Sequence, residues 1–60
     1  MIRKFIEYAF YGNIVGHDVK TIENAYAVYC KLFEIEKVDN IVNRICNEYG
    51  LFVEKCVIVE

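Results

Sequence analysis

The stretch MIRKFIEYAFYGNIV, residues 1–15, admits two readings, and the fold turns on which one holds. As a helix, Ile2, Phe5, Ile6, Ala9 and Phe10 make one apolar stripe, at the three- and four-residue spacing of an amphipathic helix, ending at Gly12. As a strand, Ile2, Ile6, Tyr8 and Phe10 share one face with Lys4, while Arg3, Phe5, Glu7, Ala9 and Tyr11 take the other. Residues 2–11 are rich in Ile, Phe and Tyr, Gly12-Asn13 suits a type II′ hairpin turn, and Ile14-Val15 can return as a short strand.

The far end of the chain adds weight to the strand. LFVEKCVIVE, residues 51–60, has the β-branched and apolar content of a strand and no internal Gly or Pro. A strand standing alone leaves its N–H and C=O groups without partners. A hairpin over residues 2–15 supplies one side of the ladder.

Two helices are expected between these ends. From Asp39 to Tyr49, Ile41, Val42, Ile45 and Tyr49 recur at helical spacing, with Asn40, Asn43, Arg44, Asn47 and Glu48 opposite. Asp39 is the expected cap, and Gly50 suits the left-handed residue past the end, with Leu51 folding back on Cys46. Thr21 to about Glu36 is the second helix, capped by Thr21, with Asp18 helping to start it. Its apolar arc is wide: Ile22, Ala25, Tyr26, Tyr29 and Phe33 form one row, and Val28, Leu32 and Ile35 extend it sideways. A helix with so narrow a polar ridge is normally contacted on two sides.

The expectation is therefore a small α+β domain over residues 1–60, in the order ββααβ, a three-stranded sheet with two helices on one face. The alternative is αααβ, whose C-terminal strand pairs across a dimer. In the first reading Leu51, Val53, Val57 and Val59 look toward the helices. The far face carries Phe5, Ala9, Tyr11, Phe52, Cys56 and Ile58, apolar enough to imply association. Five tyrosines and four phenylalanines exceed what 60 residues readily bury, so Tyr26 and Tyr29 join Phe5, Tyr11, Phe52, Cys56 and Ile58 as expected dimer or partner contacts.

Chemistry is sparse in this sequence. The single histidine, His17, lies beside Asp18 in an expected loop, and adjacent residues of an extended chain point apart. Cys30, Cys46 and Cys56 lack the close-pair spacing of zinc sites, so no metal site and no cofactor is expected. Neither the G-x-G-x-x-G pattern nor the P-loop pattern occurs around Gly12 and Gly16. No enzyme is expected.

Seven basic residues are scattered along a chain of net charge −2, without a phosphate-tracking patch. The longest uncharged run, Tyr8 to His17, is far below the roughly 20 residues of a membrane-spanning helix, and Glu7 interrupts any resemblance to a secretory signal. These features point to a reduced, cytoplasmic, non-enzymatic protein-binding module. It is expected to be a homodimeric inhibitor or adaptor acting on a partner protein, of the kind encoded by phages or mobile elements. The alternative function is a small dimeric DNA-binding regulator. Its recognition face would be Asn40, Asn43, Arg44 and Asn47, residue types that read adenine and guanine edges from a helix.

Overall fold

The structure, a computed structural model, describes residues 2–60. Its elements are α1 (Ile2–Phe10), α2 (Val19–Leu32), α3 (Ile41–Tyr49), β1 (Phe52–Glu54) and β2 (Val57–Val59). The α+β class holds, but the expected ββααβ order and three-stranded sheet do not: three helices precede a two-stranded antiparallel hairpin.

The N-terminal segment is helical because two adjacent large residues, Phe5 and Ile6, must both be buried. A strand sends neighbours to opposite faces, whereas a helix keeps them within one broad stripe. Phe5, Ile6 and Phe10 are buried, Ile2 and Ala9 are half-buried, and Arg3, Lys4, Glu7 and Tyr8 are exposed. Gly12-Asn13 does not turn a hairpin. Tyr11 and Gly12 take positive φ (55° and 90°) and carry the chain off the helix end, the Tyr11 N–H bonding the Glu7 carbonyl at 3.1 Å. Ile14, expected in a return strand, is instead buried in the core.

α2 begins two residues before the expected Thr21, because Asp18 is the cap: its Oδ1 accepts the Lys20 N–H at 2.9 Å. It stops at Leu32, short of the expected Glu36. There Glu34 adopts φ 54°, and the Ile35 N–H reaches the Cys30 carbonyl at 2.9 Å. This closure is usually made by glycine, so a Glu in that place carries no signal in the sequence. α3 keeps its expected faces, with Ile41, Val42 and Ile45 buried and Tyr49 half-buried. Its cap is not Asp39: Asn40 precedes the helix in a left-handed conformation, without a side-chain capping bond. The far end is as expected, with Gly50 at φ 67° and the Leu51 N–H on the Cys46 carbonyl at 2.9 Å.

Residues 51–60 are not one strand. Lys55 and Cys56 take φ 52° and 68°, two successive left-handed residues that form the two-residue loop of a hairpin pairing Phe52 with Val59, Val53 with Ile58 and Glu54 with Val57. Such loops favour Asn-Gly, and Lys-Cys gives no such signal. The loop also exchanges faces. Odd-numbered residues look inward before it and even-numbered residues after it, so Ile58 is the buried residue of β2, while Val57 and Val59 are half-buried.

The second edge of β2 is closed by the segment between α1 and α2. Gly16 N–H donates to the Ile58 carbonyl (2.8 Å), Ile58 N–H to the His17 carbonyl (3.0 Å) and Val19 N–H to the Cys56 carbonyl (2.8 Å), with Asp18 bridging Val57. Ile58 is thus held by its side chain in the core and by both backbone groups at this seam. Replacing Ile58 with Ala is expected to cost about 2–5 kcal/mol in urea unfolding. Gly50→Ala is expected to cost about 1 kcal/mol, from its positive φ alone, because nothing lies within 4 Å of an added Cβ.

Candidate interaction surface

The core is built of aliphatic and aromatic side chains with the Cys30 thiol, and tyrosine hydroxyls are the only oxygen groups its side chains bring in among the described residues. A series of aromatic rings runs outward from its centre. Phe5 packs on Tyr26 and Tyr29 with centroids 5.2 Å away in each case, and Tyr29 in turn meets Phe33 at 4.9 Å and Tyr8 at 5.6 Å. Tyr8 and Phe33 stand edge to face at 5.2 Å and reach the surface. Stacking of this kind holds large side chains in place before any partner arrives, which lowers the entropy lost on binding.

Tyr8 is 57% exposed, Phe33 49%, Val28 65% and Leu32 60%. Val28 and Leu32 lie one turn apart on α2 and line, with Lys31, a shallow hollow of about 370 Å³. Tyr29 and Phe33 form the neighbouring row, so α2 and the end of α1 present one apolar face. It is the uncovered part of the wide α2 arc.

The expected contact set is dispersed. Phe5, Tyr26, Tyr29 and Ile58 are buried inside the protomer: the sheet face expected to hold Phe5 and Ile58 does not form, α1 turns Phe5 inward, and Tyr26 and Tyr29 lie on the buried side of α2. Tyr11, Phe52 and Cys56 are exposed, but on separate segments: the exit from α1, strand β1 and the hairpin tip. Sequence reasoning missed Tyr8, which lies outside the helical stripe of α1. Val28, Leu32 and Phe33 were visible in the α2 arc.

Asn40, Asn43, Arg44 and Asn47 are all exposed, together on the outer side of α3 and the turn before it. Along the sequence from residue 39 the charged groups are Arg44 and Lys55 against Asp39, Glu48, Glu54 and Glu60, and the hollow beside Asn40 is lined by both signs, Glu23 and Asp39 with Lys37.

The residues considered for chemistry are held apart. His17 lays its ring on Phe10 at 4.7 Å. Cys30 is buried in α2, Cys46 half-buried in α3 and Cys56 exposed at the hairpin tip. Burial pushes the Cys46 thiol above its usual 9.0, which keeps it protonated near neutrality. Among the described residues no three His, Cys, Asp or Glu side chains converge as metal ligands. Among the described residues no helix is long and apolar enough to cross a membrane.

The buried Tyr26 ties the connection between α2 and α3 to the core, its hydroxyl accepting the Val38 N–H at 3.1 Å. Burial raises the Tyr26 pKa above 10.0, and the Val38 bond opposes that rise only in part. In the unfolded chain Tyr26 loses its proton near pH 10.0, while the folded chain retains it, so the unfolded state binds fewer protons above that point. Stability is therefore expected to fall as pH climbs beyond about 10. Tyr26→Phe should reduce this fall and cost about 1 kcal/mol at pH 7, both read from urea unfolding across the alkaline range.

Comparison with protein families, with curated proteins and with solved structures finds no match for this chain.

Proposed function

We propose that the chain is a non-enzymatic protein-binding module, an inhibitor or adaptor that acts in the cytoplasm as a homodimer and takes its partner on the α1–α2 face. The observation that carries this reading is the uncovered group Tyr8, Val28, Leu32 and Phe33, half of the eight large hydrophobic side chains that stand exposed among the described residues. Scattered exposed hydrophobics are ordinary, but a contiguous aromatic and aliphatic face is the composition of an interface core. The net charge of −2 favours a protein over a nucleic acid as partner. Three free cysteines accord with a reducing compartment.

One observation favours a second reading, the DNA-binding regulator. Two helices followed directly by a hairpin have the order of a winged DNA-binding module, with the Asn and Arg side chains of α3 outward, although the eight residues 33–40 between α2 and α3 exceed the roughly three- to four-residue turn of a helix-turn-helix. The net charge of −2 and the single Arg on that face weigh against it, since phosphate neutralisation supplies nearly all sequence-independent affinity for DNA.

The double variant Val28→Lys and Leu32→Lys replaces the two most exposed side chains of this face, neither of them in the ring stack, so its melting temperature should stay within a few degrees of the parent. Its capture of the protein partner from the native host should be lost, while Asn43→Ala with Arg44→Ala captures normally. The reverse pattern, with duplex binding that weakens steeply as salt rises and vanishes in the Arg44 variant, establishes the regulator instead.

A further inference from the structure

β1 has a single neighbour in the sheet. In a two-residue hairpin the closing pair, here Glu54 and Val57, is hydrogen-bonded, so the next pair, Val53 and Ile58, directs its backbone groups to the outer edges. At β2 those groups are taken: the Ile58 N–H by His17 and its carbonyl by Gly16. At β1 the N–H and carbonyl of Val53 meet no backbone partner among the described residues. The Val53 side chain shares the inward face with the fully buried Ile58, yet it is 48% exposed. It opens onto a hollow of about 340 Å³ whose lining is half apolar, Val19 and Val42 with Val53 itself, and half polar, Glu23, Asn40 and Asn43. The sheet stops one strand short of covering the helices.

We infer that the missing strand is β1 of a second copy, paired antiparallel about a two-fold axis through Val53. This rests on the homodimer reading and names its seam. A two-fold axis perpendicular to a sheet keeps every side chain on its own face, so facing residues must have equal parity and the axis must pass through a residue. Of the residues whose groups point outward, Leu51 has given its N–H to Cys46 and Lys55 lies in the left-handed turn. Val53 alone is left to pair.

In that register the two Val53 residues exchange N–H···O=C bonds, and their side chains meet on the inward face beside the hollow. Glu54 then faces Phe52 of the second copy and Lys55 faces its Leu51, so no like charges stand directly opposite. Phe52, 65% exposed, gains cover from the facing chain. Each copy spends its one open edge on the other, so the pairing closes as a dimer rather than growing into a fibre.

The test uses the whole chain at micromolar concentration and above. Sedimentation equilibrium should show a dimer for the parent. In the double variant Val53→Cys with Cys56→Ser, a short bismaleimide should link two chains through position 53. The parent, whose exposed Cys56 residues would sit at opposite ends of the pairing, should not be linked. Val53→Lys, at a half-exposed position, should keep its circular dichroism and sediment as a monomer. A dimer that survives Val53→Lys, or that gives no link at position 53, overturns the seam and leaves the homodimer standing. A parent that is monomeric throughout overturns both, while partner capture on the α1–α2 face is read separately.

Discussion

The arrangement depends on Ile58. Its side chain is fully buried in the core, and its backbone N–H and carbonyl bind His17 and Gly16, in the segment joining α1 to α2. That seam fixes where α1 ends relative to where α2 begins, because Asp18 caps α2 and bridges Val57 at once. The C-terminal hairpin therefore acts as a clasp between residues distant in sequence. A chain of this size buries too little surface to hold such an arrangement by general apolar contact alone, so one residue with three points of attachment matters more than it would in a larger protein.

The same geometry governs what is left exposed. The hairpin clasps the α1–α2 connection, so it cannot also cover the outer flank of α2, and Val28, Leu32 and Phe33 stay in solvent with Tyr8. The rings behind them run without a break to Phe5 in the core. The proposed binding face is thus an extension of the packing that stabilises the fold. The polar side of α3 has the opposite character: accessible and chemically suited to base edges, but carrying a single Arg on a chain of net charge −2.

How far the fold could be read in advance differs from element to element, for physical reasons. α3 was legible in nearly full detail, because its apolar spacing has one interpretation and Gly50 marks its end. The width of the α2 arc was legible too, and three of the four residues of the proposed face lie on it. The contact set drawn from the supposed sheet was divided: when α1 became a helix, Phe5 moved inward, when the hairpin formed, Ile58 followed, and Tyr11, Phe52 and Cys56 stayed exposed.

Sequence alone determined composition, charge, the amphipathic helices and the presence of β-prone residues at the C-terminus, since each of these rests on local chemistry and short-range periodicity. Only the tertiary structure decided that residues 2–10 are helical, that residues 51–60 fold back on themselves, and which residue of that segment enters the core. The left-handed turns at Glu34 and at Lys55-Cys56 use residues with no preference for that conformation. They are held there by long-range contacts: Ile35 against the core, and Cys56 through Ile58 against the segment before α2. A conformation imposed from a distance leaves no trace in the residues that adopt it.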